Sequence, residues 1–104
     1  MKHQHEIKPI PPGEMLAKEF MAPLKLSRAD VARELGVPAN RITQIIQGRR
    51  AISPDTALRL EALFDWPAVY WLQNQAEHNL DQTRRENGSR LKKEVHSVYR
   101  SRKK

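Results

Sequence analysis

The sequence contains no cysteine, only four glycines and few aromatic residues, with two each of Trp, Tyr and Phe. Without cysteine, the chain can form neither disulfides nor thiolate metal sites. No apolar run approaches the roughly 18 residues that a membrane-spanning helix needs, and residues 1–5 lack the apolar stretch of a secretion signal. These absences favour a small intracellular protein, which we expect in the cytoplasm without membrane association.

The positive charge of the chain is concentrated near its C-terminus. The formal net charge is +7, yet residues 1–83 carry ten Lys/Arg and ten Asp/Glu, so the whole excess arises in residues 84–104. A basic arm beside a neutral domain indicates a polyanionic partner such as a phosphate backbone, with a solvated tail that maintains solubility as an equal alternative. We predict a loose lead-in at 1–11, one domain at 12–83, and a basic tail or helix at 84–104.

Helix start and stop residues predict an all-α fold. Pro12 occupies a position typical of a first helical residue, and Pro23 ends that helix. Ser27 is the predicted N-cap of a second helix over residues 28–35, and Asp30 lies in the position of a capping-box acceptor. Gly36 predicts the left-handed turn at which this second helix ends.

Three further helices are predicted, which makes five in all. The third covers residues 39–47 before Gly48, the fourth extends from its cap Ser53 to about residue 64, and the fifth begins near residue 67. The fifth helix carries an apolar stripe at helical spacing, made of Val69, Leu72, Ala76 and Leu80. Gly88 and Ser89 are expected to break the pattern. Beyond them the chain is either a basic helix or a segment that is disordered alone.

Residues 27–48 have the pattern of a DNA-reading helix-turn-helix, two short helices joined by about four residues that include a glycine. At about 100° per residue, the isoleucines of the third helix fall on one side. The other sides, and the residues that follow, carry side chains suited to base edges or phosphates, namely Asn40, Arg41, Thr43, Gln44, Gln47, Arg49 and Arg50. Polarity alone would suit any exposed helix face, but the absence of acidic residues from 38 to 52 favours a surface next to phosphate.

A series of short segments within residues 9–80 points to one protein family more specifically than any single segment does. In chain order they are Pro12-Gly13-Glu14 with Leu16 and Phe20, Leu26-Ser27 with Ala32 and Leu35-Gly36-Val37-Pro38, Arg41-Ile42 with Ile46 and Gly48-Arg49-Arg50, Ile52 with Asp55-Thr56-Ala57-Leu58-Arg59-Leu60, and Trp71-Leu72 with Gln75. Together they resemble the HigA-type antitoxins, also known as virulence-associated protein I, within the lambda-repressor-like (Xre/Cro) helix-turn-helix class. Pro11 stands where family members often have His, and the family pattern does not explain the basic C-terminal segment.

The resemblance implies a homodimer that binds double-stranded DNA at a palindromic operator in its own promoter and neutralises a small mRNA-cleaving toxin. A dimer also agrees with DNA geometry, because two recognition helices about 34 Å apart read successive turns of the major groove. Two alternatives stay open. One is a regulator of the same fold without a toxin partner, and the other is a protein that coats nucleic acid non-specifically through its basic tail.

The other candidate sites are aromatic or titratable. Trp66, Tyr70 and Trp71 hold most of the aromatic surface and are predicted to contact a second subunit or a partner, with packing beneath the first helix as the alternative for Trp71. The four histidines have no metal-ligand spacing, and no nucleophile–base constellation or phosphate-binding glycine loop occurs. We expect no metal, no cofactor and no enzymatic activity.

Overall fold

A computed structural model describes residues 10–99 and confirms the expected all-α fold. The helices are α1 (Pro12–Met15), continued by a π-helical segment (Leu16–Met21), then α2 (Arg28–Leu35), α3 (Ala39–Ile46), α4 (Pro54–Phe64) and α5 (Ala68–Glu94). Most of the predicted lead-in, residues 1–9, lies outside the described residues, as do residues 100–104 of the predicted tail. None of the helices within residues 10–99 combines the length and the hydrophobicity that a membrane span requires.

The first helix begins at Pro12 as predicted, but its hydrogen-bonding pattern widens after one turn. The amide of Ala22 donates to the carbonyl of Ala17 at 3.0 Å, which closes a ring one residue longer than in an α-helix. This wider ring allows Leu16 and Met21, five positions apart, both to lie in the core. Pro23 has no amide hydrogen to continue the helix, and the chain leaves it through a turn.

Both ends of α2 follow the predicted local chemistry. The amide of Asp30 donates to Ser27 Oγ at 3.0 Å, and Asp30 Oδ2 accepts from the amide of Ser27 at 2.9 Å, so the capping box is confirmed. At the other end Gly36 has φ 73°, a left-handed conformation that a side chain would strain. The chain therefore reverses within a few residues, and α3 begins at Ala39.

The hydrophobic core lies between the first four helices and the beginning of α5. Val31 from α2, Ile42 from α3 and Leu60 from α4 are each fully buried. Around them lie the other buried apolar side chains, Leu16, Met21, Ala32, Leu35, Ile45, Ile52, Ala57 and Trp71. Of the three isoleucines predicted on one side of α3, Ile42 and Ile45 are buried and Ile46 is only partly buried.

The expected interruption at Gly88 and Ser89 is wrong, because α5 continues through both residues to Glu94. A helical glycine costs about 1 kcal/mol relative to alanine, which is too little to end a helix supported on both sides. Here the support comes from ion pairs one turn apart, Asp81 with Arg85 at 2.8 Å before Gly88 and Arg90 with Glu94 at 4.0 Å after it. The predicted boundary between residues 83 and 84 therefore falls inside one continuous helix.

The structure also corrects the predicted faces of α5. Trp71 is fully buried, with its ring centroid 4.8 Å from that of Phe20, so it packs beneath the first helix and cannot itself contact a partner. Tyr70 is 47% exposed, and Trp66 is half-buried between the rings of Phe20 and Tyr70. The apolar stripe expected to face the core instead faces outward, apart from the partly buried Leu72. The bulk of Trp71 and its aromatic neighbours decides which side of α5 is inside.

Candidate DNA-binding surface

The position of α3 is set by its apolar side and by an unusually close contact with the first helix. Ile42 and Ile45 are buried, which directs the opposite side of the helix away from the core. Gly13 lies against the C-terminal end of α3. A side chain there would overlap the carbonyl group of Ile45 and approach Ile46 Cα to 2.7 Å. Only glycine permits this distance between the two backbones, so Gly13 fixes where α3 sits.

The predicted base-reading residues of α3 differ in exposure. Asn40 and Gln47 are exposed, and Thr43 and Gln44 are half-buried. Arg41 is also half-buried, and its Nε atom is enclosed with no hydrogen-bond partner among the described residues. Asn40, Thr43, Gln44 and Gln47 are thus at least partly exposed, whereas Arg41 keeps part of its guanidinium in the protein.

The turn after α3 brings Arg49 and Arg50 next to the helix. Gly48 adopts φ 77°, and the amide of Arg49 donates back to the carbonyl of Gln44 at 2.8 Å, which is the pattern of a glycine C-cap. Arg50 then reaches Gln44, with its Nε donating to Gln44 Oε1 at 3.0 Å. Gln44 and Arg50 are six positions apart in the sequence, and the turn after α3 brings their side chains within hydrogen-bonding distance.

A residue with no predicted site role, Gln75 on α5, holds the segment that carries these arginines. Its Oε1 accepts from the amide of Ile52 at 2.7 Å, and its Nε2 donates to the carbonyl of Ile52 at 3.0 Å. The side-chain amide thus satisfies both backbone groups of one residue, as a neighbouring strand would. In the sequence Gln75 stands out only as part of the family resemblance, because a polar residue on a helix does not reveal a backbone partner 23 positions away.

Arg59 of α4 supports the turn of the helix-turn-helix in a similar way. Its Nη1 donates to the carbonyl of Leu35 at 2.8 Å, at the C-terminal end of α2. Asp55, one turn earlier, accepts from Arg59 Nε at 2.7 Å and orients the guanidinium. A cation at a helix C-terminus is stabilised by the helix dipole, so this contact anchors the junction between α2 and α3.

The electrostatic character of the surface follows from its composition. No acidic residue lies from position 38 to 52, whereas α2 and α4 contain Asp30, Glu34, Asp55 and Glu61. Phosphate would be repelled by carboxylates, so a face free of them next to Arg49 and Arg50 suits the edge of a DNA groove. Within residues 10–99, no group of acidic or histidine side chains is arranged to hold a metal ion.

These features define a helix-turn-helix protein of the DNA-binding type, in which α2 supports the recognition helix α3. The chain belongs to the helix-turn-helix family, whose model (HTH_3) matches residues 18–71. It is 39% identical over 77 residues to virulence-associated protein I of Dichelobacter nodosus, a match that covers 74% of this chain and 71% of that protein. It is 33% identical over 88 residues to YbaQ of Escherichia coli K12, an HTH-type transcriptional regulator, covering 85% of this chain and 76% of that one.

A similar fold has been solved with DNA. The antitoxin HigA of Pseudomonas aeruginosa, in a structure with the higBA promoter, superimposes with a TM-score of 0.82 at 36% identity. The alignment covers 88% of this chain and 99% of that one, so it includes α5 as well as the helix-turn-helix. The resemblance to HigA-type antitoxins is confirmed for both sequence and fold.

Proposed function

We propose that this protein is the antitoxin of a toxin–antitoxin pair, and that it binds as a homodimer to an operator in its own promoter and represses transcription. The observation that carries the proposal is the acid-free polar side of α3, which a buried isoleucine side and Gly13 hold at the surface. The HigA relative solved with promoter DNA supports the same reading. The protein would act in the cytoplasm as a binding protein and not as an enzyme.

Within this proposal, the residues of the surface divide into two roles. Asn40, Thr43, Gln44 and Gln47 read base edges, because amide and hydroxyl groups match the donors and acceptors of the major groove. Arg41 borders them, and Arg49 and Arg50 bind phosphates beside the groove. Since Arg50 Nε also donates to Gln44 Oε1, Arg50 helps to orient the base-reading side chain of Gln44.

The first test is titration of a labelled fragment of the gene's own upstream region at near-physiological salt, with scrambled competitor DNA. Specific binding typically exceeds non-specific binding by about 10³-fold or more, so the complex should survive the competitor. If the competitor removes the protein, sequence-specific repression is excluded and the basic C-terminal segment becomes the source of affinity.

Two variants separate the proposed roles. Gln44→Ala should reduce discrimination between operator and scrambled DNA by about 1–3 kcal/mol, the usual value of one bidentate base contact. Arg49→Ala should weaken binding to all sequences and lower the salt dependence by about one counterion, because the Arg49 side chain, unlike that of Arg50, makes no hydrogen bond to Gln44. Lys18→Ala in the first helix is the control, because this exposed lysine lies outside residues 40–50, contacts Glu14 at 3.1 Å and should leave discrimination unchanged.

The toxin partnership needs a separate test, because the similarity to YbaQ favours a second candidate, a transcriptional regulator without a toxin. The chain would be co-expressed with the product of the neighbouring small reading frame. An antitoxin should restore growth and co-purify with that product. Specific operator binding without growth rescue or co-purification would leave the regulator as the function.

A further inference from the structure

A polar cavity of about 220 Å³ lies between the segment that follows α3 and the middle of α5, and residues 11–13 of the chain border it on a third side. We call it the arginine cavity. Its lining contains two guanidinium groups and no carboxylate, which gives it a positive potential. The polar side chains of the lining are Arg49 and Arg50 from the segment after α3, and Gln75, His78, Asn79 and Gln82 from α5.

The two walls of the arginine cavity are tied together by Gln75. Its side-chain amide bonds to both backbone groups of Ile52, at 2.7 and 3.0 Å, so the segment with the arginines cannot leave α5 without breaking these bonds. His78 lies three positions after Gln75 and therefore on the same side of α5. The donors of the two walls thus face one cavity in the free protein, and a ligand does not have to form the site.

Most of these donors have no partner in the protein. Within residues 10–99, the side chains of Arg49, His78 and Asn79 make no hydrogen bond or ion pair. Arg50 uses only its Nε, which donates to Gln44 Oε1 at 3.0 Å, so its two terminal nitrogens remain available. An imidazole carries at least one N–H, and a side-chain amide carries two. The lining is therefore rich in unused donors, which an anion with several acceptor oxygens can satisfy.

The carboxylates of the neighbouring cavity are already paired with cations. This second cavity, about 410 Å³ in volume, shares His78 with the first and contains Glu14 and Asp81. Asp81 pairs with Arg85 at 2.8 Å, and Glu14 pairs with Lys18 at 3.1 Å. By contrast, the two arginines of the arginine cavity have no acidic partner within residues 10–99. Their charge is left for a ligand.

The size of the arginine cavity limits what it can hold. Sites for drug-sized molecules usually have about 300–1,000 Å³, whereas one water molecule occupies about 30 Å³ in the liquid. At about 220 Å³, the cavity suits an ion of a few heavy atoms and not a whole nucleotide. Because its donors come from two separate walls, a tetrahedral oxyanion matches them better than a planar carboxylate does.

We propose that the arginine cavity binds a phosphate group, held by Arg49 and Arg50 on one wall and by His78 and Asn79 on the other. The phosphate has two possible sources, a free small phosphate compound or a backbone phosphate of bound DNA. A free phosphate compound would compete with the operator for the same two arginines and thereby relieve repression. This regulatory consequence rests on the proposed function, whereas the site itself does not.

The first experiment titrates the full chain with inorganic phosphate by calorimetry, at fixed pH and at an ionic strength held constant with chloride. Calorimetry is chosen over a melting temperature because phosphate stabilises proteins in general by exclusion from their surface. Asn79→Asp places a carboxylate of the same size in the cavity and should weaken phosphate binding about tenfold or more. Asn87→Asp is the matched control, because it makes the same change on the same helix outside the cavity and keeps the acceptor for Arg90.

The second experiment distinguishes the two sources by titrating operator DNA in phosphate and in chloride at equal ionic strength. If the ligand is a free phosphate, phosphate at about twice its dissociation constant should weaken operator binding about threefold in the wild type and in Asn87→Asp. Asn79→Asp should then show no difference between the two buffers. If the ligand is a DNA phosphate, the buffers should be equivalent. Asn79→Asp should then bind operator and scrambled DNA about tenfold or more weakly than Asn87→Asp does.

Two results would overturn the proposal. One is calorimetric phosphate binding that Asn79→Asp leaves unchanged, and the other is no phosphate binding together with equal DNA affinities of the two variants. Specific operator binding in the second case would leave the proposed function standing without the site. Phosphate binding that is lost in Asn79→Asp, in a protein without preference for the upstream DNA, would instead refute the proposed function and leave the site intact.

Discussion

Replacing Gln75 with alanine should destabilise the domain although it removes no apolar contact from the core. The side chain makes two hydrogen bonds to the backbone of Ile52, at 2.7 and 3.0 Å, and Ile52 itself is only 2% exposed. A net hydrogen bond contributes about 1 kcal/mol, and a buried group left without a partner costs about 1–3 kcal/mol. Because the two hydrogen bonds are only partly buried, water can replace some of the lost bonding, so we expect the free energy of unfolding to fall by about 2–3 kcal/mol.

The assay is urea unfolding at a fixed protomer concentration, followed by tryptophan fluorescence and by CD. For a domain of this size, a loss of 2–3 kcal/mol corresponds to a melting temperature lower by about 10–20 °C. Gln82→Ala is the control, because Gln82 lies on the same helix and makes only an exposed bond of 3.3 Å to Glu86. A loss below about 0.5 kcal/mol in the Gln75 variant, within the range of ordinary surface substitutions, would show that its two hydrogen bonds to Ile52 do not stabilise the domain.

The Gln75 variant should also affect DNA binding. Ile52 lies two residues after Arg50, so release of its backbone loosens the segment that carries Arg49 and Arg50. We expect weaker binding to operator and scrambled DNA alike, with their ratio nearly unchanged. A selective loss of operator preference would instead place Gln75 in direct support of α3.

Three further predictions concern single residues. Gly13→Ala should lower the free energy of unfolding, measured by urea titration, by about 1–3 kcal/mol or more, because the added methyl group meets the backbone of Ile45. An effect near zero would show that the first helix and α3 can move apart freely. Trp71→Ala should cost about 3–5 kcal/mol in the same assay, since the ring is fully buried, and a cost below about 1 kcal/mol would contradict its core position. The pKa of Asp30 is lowered from its ordinary value of 3.8, mainly by the hydrogen bond from the backbone of Ser27. The ionised Asp30 carboxylate therefore stabilises the fold above pH 3.8, and this contribution is lost as pH falls through the lower, folded-state pKa. The stability difference between wild type and Asp30→Asn should therefore shrink in that acidic range, and a difference that grows on acidification would reverse the assigned direction.

Much of the fold could be predicted because the relevant interactions are local. The capping box of Ser27 and Asp30 joins residues three positions apart, and the left-handed turn at Gly36 depends on one residue's own conformation. Interactions of this range are encoded in a few consecutive residues. The interruption expected at Gly88 failed for the complementary reason, because propensity is weak and the flanking side-chain pairs outweigh it.

The helix-turn-helix and the chemistry of its outer side follow from the amino-acid pattern alone. The isoleucines of α3 repeat at helical spacing, so burying Ile42 and Ile45 leaves the acid-free polar residues outside. Which side of α5 is buried depends instead on helix packing. Two faces of that helix carry apolar residues, and the large ring of Trp71 packs on Phe20. The tertiary structure also decided the partners of Gln75 and Arg50, since contacts between segments depend on how helices pack and not on spacing along the chain.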